Sequence, residues 1–318
     1  MNFNQSTFEE SGSEKIKKIS PEDIKFEDFG VNINDFSEEA EEIEKLRKLR
    51  SDNNWKEVRS EEKFELVEKQ FSFGVRKVYL PKDSNNNVDL QSSRGVGFSD
   101  GETLESTLRK YLANTENLDE PNFLRLRELE KINAHIKNEE TFIKLLNSTE
   151  KEEEKNALRK AFIESGRNFV EIGFRVPSLL NFFKKSGYET LGYDINPLSI
   201  SICKKLGWNV EFKDLNDLNS TFNINPGTLV VCYHVLEHLS NPLDSLKNLS
   251  KQLPPGVKLH FEIPIEPGVP RLNFGHLFPF ERGDLQKMLI EAGFITVSFS
   301  NATHPGGPEI ERVLAISK

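Results

Sequence analysis

Residues 168–207 read NFVEIGFRVPSLLNFFKKSGYETLGYDINPLSISICKKLG, and this stretch decides the fold class. Two short apolar runs, NFVEI and TLGYDI, alternate with two amphipathic segments, SLLNFFKKSG and PLSISICKKLG. Strands that alternate with helices of this length predict a parallel β-sheet with helices on both faces. The stretch therefore predicts an α/β domain.

The same alternation continues to the C-terminus. Further apolar runs predict strands at Val210–Phe212, Thr228–Tyr233, Val257–Ile263, Phe294–Phe299 and Arg312–Ile316. Segments with helical periodicity between these runs predict helices at Leu243–Leu253 and Asp284–Ala292. Residues 167–318 are therefore expected to form one Rossmann-like α/β domain with a mostly parallel sheet.

The N-terminal half has a different sequence pattern. Residues 1–64 mix acidic runs with a few aromatic side chains, and only Ala40–Leu49 has a convincing helical pattern, so we predict a loosely ordered acidic arm. Residues 65–166 are predicted to form a mainly helical accessory region. A short strand or hairpin is expected there around Phe71–Leu80, ended by a turn at Pro81.

Helical periodicity predicts three helices in the accessory region. The first follows Ser99 or Asp100, either of which is a suitable N-cap. The second follows Pro121 and repeats apolar residues as far as Ile136, and the third spans about Lys151–Glu164.

Charge and hydropathy exclude several classes of function. The chain of 318 residues has 42 basic and 51 acidic side chains, and its net charge of -9 repels phosphate backbones, so nucleic acid is not expected as a partner. No run approaches the roughly 20 apolar residues of a membrane span, which predicts a cytoplasmic protein without membrane segments. The two cysteines, Cys203 and Cys232, lie in apolar stretches and are predicted to be buried thiols.

Two acidic residues mark the ends of the first two predicted strands of the sheet. Glu171 precedes Gly173 at the end of the first strand, and Asp194 ends the second strand. Parallel sheets bind their ligands at the carboxyl ends of the strands. A carboxylate there can accept hydrogen bonds from both hydroxyl groups of a ribose, because it has two acceptor oxygens and no donor. The two acids therefore predict a site for a nucleoside.

Four blocks of this half resemble the class I S-adenosylmethionine-dependent methyltransferases, in particular the group whose fourth strand runs into Val-Leu-Glu-His-Leu. The blocks are VEIGF at 170–174, GYDINP at 192–197, VVCYHVLEHLSNP at 230–242, and the segment from HLFPF to EAGF at 276–294. The resemblance covers residues 168–318 and implies a seven-stranded sheet whose last strand, Arg312–Ile316, is antiparallel. It also implies S-adenosylmethionine as the cofactor.

The resemblance assigns a set of cofactor-binding positions, namely Glu171, Gly173, Arg175, Asp194, Asp214 and Leu215. Asp214 and Leu215 fall where the family contacts adenine, although an exposed turn explains them equally well. The family's first loop has three glycines at alternate positions, whereas this chain keeps Gly173 and has Arg175 and Pro177 at the other two. We therefore expect a different loop. Either Arg175 reaches the methionine carboxylate of the cofactor, or the loop no longer admits the cofactor.

Candidate catalytic residues follow the fourth and fifth strands of the sheet, and they are Tyr233, His234, Glu237, His238 and His276. If the segment from His234 is helical, then His234, Glu237 and His238 share one face of the helix. A histidine of this set is a candidate general base, because the ordinary pKa of an imidazole is about 6.5.

The histidine pattern also resembles the Glu-x-x-Glu-His motif and distant histidine of metal-dependent O-methyltransferases, with His234 in place of the first glutamate. That resemblance implies a divalent-metal site. The replacement removes an oxygen ligand, however, and we predict no resident metal. A structural role, in which these side chains cap and pack a helix, is the third interpretation.

The leading hypothesis that this resemblance implies is methyl transfer from S-adenosylmethionine to an oxygen atom of a small metabolite or a glycan. The alternative is a non-catalytic protein of the same fold that binds a partner through its helical extension. A dehydrogenase that uses NAD would need a GxGxxG loop, which the sequence lacks. The sequence predicts no particular oligomeric state.

Overall fold

A computed structural model of the chain describes residues 19–51, 64–82, 103–117, 122, 124–129, 139–163, 167–303 and 308–318. The predicted helix boundaries at Ser99, Asp100, Pro121 and Ile136 lie outside these residues. Within the described ranges, no helix combines the length and the apolar character that crossing a membrane requires.

The accessory region contains the expected hairpin. Its strands are β1 (Phe64–Phe71) and β2 (Gly74–Pro81), which pair antiparallel with Phe71 opposite Gly74. Gly74 has a φ of 130°, a conformation that side chains disfavour, so it closes the turn. The predicted strand at Phe71–Leu80 corresponds to β2, whereas β1 was not predicted, and Pro81 belongs to β2 instead of ending it as a turn. The alternating sequence FELVEKQF of β1 suits a half-buried strand.

Helices of the N-terminal half are α1 (Ser37–Ser51), α2 (Leu104–Glu116), α3 (Glu139–Ser148) and α4 (Glu152–Ile163), and residues 124–129 are also helical. The N-cap of α2 is Thr103, whose hydroxyl accepts a hydrogen bond from the backbone N–H of Ser106 at 3.2 Å. The predicted caps, Ser99 and Asp100, lie too early for this start. The sequence prediction also missed α3.

Part of the predicted acidic arm packs against the rest of the chain. Ile24, Phe36 and Ile43 are buried. The ammonium group of Lys205 donates a hydrogen bond to the carboxylate of Glu39 at 2.6 Å. The division into an arm, an accessory region and a core domain stays a prediction.

The C-terminal half forms one sheet of seven strands, which are β3 (Asn168–Ile172), β4 (Glu189–Asp194), β5 (Val210–Phe212), β6 (Leu229–Tyr233), β7 (Lys258–Pro264), β8 (Ile295–Thr303) and β9 (Glu309–Ile316). Their order is β5-β4-β3-β6-β7-β9-β8. Neighbouring strands from β5 to β7 are parallel, and β9 is antiparallel to both β7 and β8. The predicted fold class, with its antiparallel last strand, is confirmed.

Four helices of the C-terminal half cover the sheet, namely α5 (Ser178–Lys185), α6 (Pro197–Lys205), α7 (Pro242–Gln252) and α8 (Asp284–Glu291). Side chains of α7 and α8 share one core with alternate strand residues such as Val230 and Cys232. Side chains of α5 and α6 share the core on the other face with Phe169 and Val231. Residues of α1 and α2 join this second core, so the N-terminal helices pack on the domain.

The strand order reverses between β3 and β6. From β3 the chain passes outward to β4 and β5, and it then returns to the other side of β3 to form β6. Loops that leave neighbouring strands in opposite directions open a crevice at the carboxyl end of the sheet. This reversal positions the candidate site.

Candidate functional site

A cavity of about 650 Å³ lies at the carboxyl ends of β3, β4 and β6. Most of the candidate residues line it, namely Glu171, Gly173, Arg175, Asp194, Asp214, Leu215, Tyr233, His234 and His238. Glu237 and His276 do not belong to its lining. All the predicted cofactor-binding residues therefore lie together at the cavity. Of the predicted catalytic residues, some line the cavity and two do not.

Gly173 is required by both conformation and space. Its φ is 78°, which L side chains rarely adopt. A Cβ atom on this residue would lie 2.3 Å from Cγ2 of Val235, in the turn after β6. The loop after β3 therefore approaches the loop after β6 too closely for any other residue.

Arg175 replaces a glycine of the family's loop and keeps a left-handed backbone, with a φ of 48°. This conformation costs a side-chain-bearing residue about 1–2 kcal/mol. One compensation is the hydrogen bond from the backbone N–H of Arg175 to Oδ2 of Asp194, at 2.8 Å. The side chain of Arg175 is exposed at the cavity. The altered loop thus places a cation at the cavity.

Asp194 is buried at the end of β4, and both of its carboxylate oxygens accept backbone hydrogen bonds. Oδ2 accepts from Arg175, and Oδ1 accepts from the backbone N–H of Asn196 at 2.8 Å. Burial raises the pKa of Asp194, and these hydrogen bonds partly oppose the shift. Because a carboxylate can accept about four hydrogen bonds, Asp194 keeps the capacity for a further donor.

Glu171 is a buried carboxyl group with an incomplete set of partners. Its Oε2 atom is buried and has no hydrogen-bond partner among the described residues. Burial raises the pKa of Glu171 to about 8, although the positive charge of Arg125 acts in the opposite direction. Glu171 is therefore largely protonated at neutral pH, and a positively charged group beside it would favour its ionised form.

Asp214 and Leu215 line the cavity beyond the end of β5. Oδ1 of Asp214 accepts a hydrogen bond from the backbone N–H of Asn216 at 2.8 Å, and burial raises the pKa of Asp214. Leu215 is buried. An apolar and an acidic side chain at one edge suit a heterocycle with an amino group.

Tyr233 contributes its ring to the cavity, while its hydroxyl group is engaged in the core. The Tyr233 hydroxyl lies 2.7 Å from Nδ1 of His260, which is fully buried. Burial lowers the pKa of His260 to about 4, so this imidazole is neutral at neutral pH. The guanidinium carbon of Arg125 lies 4.6 Å from the centre of the Tyr233 ring. The geometry therefore favours Tyr233 as a wall of the cavity.

The turn after β6 is not the helix on which the sequence prediction depended. His234 has a φ of 54°, and only Leu236–His238 form a short 3-10 helix. The idea that His234, Glu237 and His238 share an α-helical face is therefore wrong. They meet because the left-handed residue turns the chain back, which brings Nδ1 of His234 to 3.2 Å from Oε1 of Glu237.

His234 is held between two buried carboxylates. Its Nδ1 contacts Glu237, and its Nε2 lies 2.9 Å from Oε1 of Glu262. Burial lowers the pKa of His234, but the two carboxylates outweigh it and raise this pKa well above its ordinary value. The same contacts hold the pKa of Glu237 well below its ordinary value, against the effect of burial. His234 is thus already protonated at neutral pH and is unsuited to accept a proton.

Glu262 on β7 is fully buried and joins several positive side chains. Nε of Arg312, on β9, donates to Oε2 of Glu262 at 2.5 Å. Nε of Arg125, in the helical segment 124–129, donates to Oε1 at 2.9 Å. Arg312 also pairs with Glu128 of that segment. The accessory region is therefore fixed to the sheet by buried charges beside the cavity.

Glu237, His238 and His276 form a compact cluster next to the cavity. Each offers one ligand atom, and these atoms lie within 4.8 Å of one another. Nδ1 of His238 donates to the carbonyl oxygen of Gly275 at 2.8 Å, and Nδ1 of His276 donates to Oε2 of Glu266 at 2.6 Å. Oε2 of Glu237 is buried without a hydrogen-bond partner among the described residues. Histidines whose Nδ1–H is fixed in this way present Nε2 to a proton or a cation.

Sequence reasoning missed Arg125, Glu262 and Thr107, although Arg125 and Thr107 line the cavity. Glu262 carried a signal, because a carboxylate inside the apolar strand KLHFEIP must find a buried partner. The sequence gives no comparable signal for Arg125 or Thr107. Polar positions of an amphipathic helix are ordinarily assigned to the solvent.

Residues 146–298 match the model of a family described as a methyltransferase domain, and this region includes β3, β6 and most of the residues that line the cavity between them. No curated protein matches the chain significantly. A similar solved structure is an S-adenosylmethionine-dependent methyltransferase from Mesorhizobium loti (16% identity, TM-score 0.41, 54% of this chain and 99% of that chain). Another is a SAM-dependent methyltransferase from Archaeoglobus fulgidus (18% identity, TM-score 0.39, 52% and 94%). The [4+2]-cyclase SpnF is also similar (13% identity, TM-score 0.41, 52% and 79%).

The pKa of Glu171 predicts how stability depends on pH. Glu171 keeps its proton up to about pH 8 in the folded chain, whereas the ordinary pKa of a glutamate is 4.5. The folded state binds more protons between these values, so the free energy of unfolding falls as the pH rises through this window. The Glu171→Gln variant lacks this titrating group. Its free energy of unfolding should therefore fall less steeply with pH than that of the wild type, by up to about 1.4 kcal/mol for each pH unit.

Urea unfolding of the wild type and of Glu171→Gln, at about pH 5 and about pH 8, measures this difference. Glu189→Gln, which changes an exposed glutamate on β4, is the control and should follow the wild type. Parallel pH profiles for the wild type and Glu171→Gln would mean that the pKa of Glu171 is not raised.

Proposed function

We propose that this chain, whose residues 146–298 belong to the methyltransferase-domain family, transfers the methyl group of S-adenosylmethionine to an oxygen atom of a small metabolite or a glycan. The main support for this proposal is the cavity between β3 and β6, where the strand order of the sheet reverses. It has Glu171 and Asp194 at the ends of its first two strands. Such a cavity is the general ligand position of open α/β sheets.

The residues present fit the nucleoside part of S-adenosylmethionine. Asp194 keeps acceptor capacity beyond its backbone hydrogen bonds, which suits a hydroxyl donor of a ribose. Asp214 can accept a hydrogen bond from the adenine amino group, and Leu215 offers an apolar surface for the ring. We assign these three residues to the nucleoside.

The residues after β3 fit the amino-acid part of the cofactor. Glu171 has an unsatisfied buried oxygen, which suits the ammonium group. Arg175 has an exposed guanidinium at the cavity, which suits the methionine carboxylate through a charge-assisted hydrogen bond. Gly173, which lines the cavity without a side chain, leaves its backbone accessible to the cofactor.

S-adenosylmethionine, when bound, supplies an electrophilic methyl group. The protein must then hold an acceptor in line with that group and remove a proton from it. The acceptor side of the cavity lies beyond β6, where Tyr233 and His238 line the wall. The ring of His276 lies next to His238, with centroids 5.0 Å apart.

We assign proton removal to His276. Its Nδ1–H is held by the carboxylate of Glu266, which orients the imidazole and leaves Nε2 to accept a proton. A carboxylate on the far nitrogen also stabilises the imidazolium that forms. His234 is excluded from this task by its two carboxylate partners.

The same cluster also meets the requirements of a divalent cation. Glu237, His238 and His276 would hold it as one carboxylate and two imidazoles, a set that suits zinc and its neighbours better than magnesium. His234 would orient Glu237 instead of binding the cation. A cation there would lower the pKa of an acceptor hydroxyl group.

The cofactor assignment predicts the effect of Asp194→Ala. Loss of a charged acceptor typically costs about 1.5 to 3 kcal/mol for each hydrogen bond. The affinity for S-adenosylhomocysteine, measured by calorimetry, should therefore fall at least about tenfold. Asp217→Ala, at an exposed aspartate of the same domain, should bind like the wild type. Unchanged affinity in a folded Asp194→Ala variant would contradict the assignment of Asp194, whereas a wild type that does not bind S-adenosylhomocysteine would favour the alternative of a non-catalytic binding protein.

The acceptor assignment predicts a loss of turnover in His276→Gln. A positioned general base typically contributes about 100-fold to 10,000-fold, so kcat should fall by at least about 100-fold. The measurement is the formation of S-adenosylhomocysteine with an accepted substrate, before and after chelation. Proton removal by His276 alone predicts no effect of the chelator and a smaller loss in His238→Gln.

A bound cation predicts a different pattern in the same assay. Chelation would abolish turnover, and Glu237→Ala and His238→Ala would be nearly as damaging as His276→Ala, because ligands act as a unit. Activity that survives chelation and each of these substitutions would leave the cluster with a structural role alone.

A further inference from the structure

Helix α2 turns a polar stripe towards the cavity. Thr107, Lys110 and Asn114 on the helix and Asn117 just after it line the cavity, at spacings that place them on one face. The other face, with Leu108 and its neighbours, is buried in the core. Although α2 belongs to the N-terminal half, it therefore forms one wall of the candidate site.

Thr107 is the buried end of this stripe. Its side chain is 1% exposed, and its hydroxyl oxygen has no hydrogen-bond partner among the described residues. Within a helix such a hydroxyl usually donates to the carbonyl oxygen four residues earlier. Here that carbonyl, of Thr103, already accepts from the backbone N–H of Thr107 and from the hydroxyl of Ser106 at 3.0 Å. The capping box of α2 thus leaves the Thr107 hydroxyl unsatisfied.

Thr115 offers a direct comparison on the same helix. It is also buried, but its hydroxyl donates to the carbonyl oxygen of Tyr111 at 2.9 Å, and it does not line the cavity. An unsatisfied buried hydroxyl is destabilising, whereas a satisfied one is not. The difference between Thr107 and Thr115 therefore points to a partner outside the part of the chain that the structure describes, such as a bound ligand.

The position of α2 is fixed relative to the loop after β3. The hydroxyl group of Ser178, the first residue of α5, donates to the carbonyl oxygen of Asn114 at 2.6 Å. The side-chain amide of Asn181, one turn later, donates to the carbonyl oxygen of Thr115 at 3.2 Å. Because α5 follows directly on the loop that contains Gly173 and Arg175, α2 and that loop are held together as one wall.

Two buried oxygens that have no hydrogen-bond partner among the described residues line this cavity, one on Thr107 and one on Glu171. A primary ammonium group has three donors and no acceptor, so it suits two such oxygens, one of them on a carboxylate. We propose that Thr107 is a ligand-binding residue that, with Glu171, binds the ammonium group of the bound ligand. This inference rests on the proposed function, in which the ammonium group belongs to the methionine part of the cofactor.

The test compares Thr107→Val with Thr115→Val, because each change replaces a hydroxyl with a methyl group at a buried site of one helix. The ligands are S-adenosylhomocysteine and its analogue in which hydrogen replaces the α-amino group. Calorimetry should show about five- to tenfold weaker binding of S-adenosylhomocysteine to Thr107→Val, because a buried hydrogen bond to a charged group is lost. The deamino analogue should bind equally to Thr107→Val and to the wild type.

Stability provides an independent readout in the same variants. Thr107→Val should be at least as stable to urea as the wild type, since it removes an unsatisfied group. Thr115→Val should lose stability and bind both ligands as the wild type does. Thr107→Ser, which keeps the hydroxyl, should restore the affinity for S-adenosylhomocysteine.

The outcomes separate this inference from the proposed function. Binding of S-adenosylhomocysteine that is equal in the wild type and Thr107→Val, or equal losses for both ligands in Thr107→Val, would overturn the role of Thr107 and leave the proposed function standing. A wild type that binds neither ligand would overturn both.

Discussion

The structure depends on one buried charge, the carboxylate of Glu262 in the middle of the sheet. A carboxylate that is fully buried requires positive partners with good geometry, and removing one partner of such a group typically costs about 3–5 kcal/mol. The partners of Glu262 come from three different parts of the chain. They are Arg312 on the antiparallel last strand, Arg125 in the N-terminal half, and His234 in the turn after β6.

This requirement links the accessory region to the chemistry of the site. Arg125 reaches Glu262 across the ring of Tyr233 and lines the cavity on the way. Its charge also lowers the pKa of Glu171, which burial raises. His234 also contacts Oε1 of Glu237, whose other oxygen, Oε2, has no hydrogen-bond partner in the part of the chain that the structure describes. The charge of Arg125, in the N-terminal half, therefore contributes to the electrostatic potential in the cavity.

The sheet could be predicted from the sequence because its elements have short-range signals. NFVEI and TLGYDI are apolar runs of strand length, and each is followed by an amphipathic helix. The two acids at their ends could also be placed at one edge, since parallel strands end on the same side. The antiparallel direction of Arg312–Ile316 followed from the family resemblance instead.

The geometry of the site could be predicted only in part. The helical face expected from His234 to His238 fails because His234 takes a left-handed φ, a conformation for which the sequence carries no signal in a histidine. Arg125 and Thr107 lie far from the sheet in sequence, and only the tertiary packing of α2 and residues 124–129 brings them to it. Long-range contacts of this kind leave no local pattern.

A crystal structure of the protein with S-adenosylhomocysteine would show whether the cavity between β3 and β6 binds the cofactor, as we propose. We expect density for the ligand in this cavity, with the ribose hydroxyl groups on Asp194 and the carboxylate near Arg175. Ligand density at another place on the chain, or an unchanged cavity under conditions in which the ligand binds in solution, would contradict this proposal.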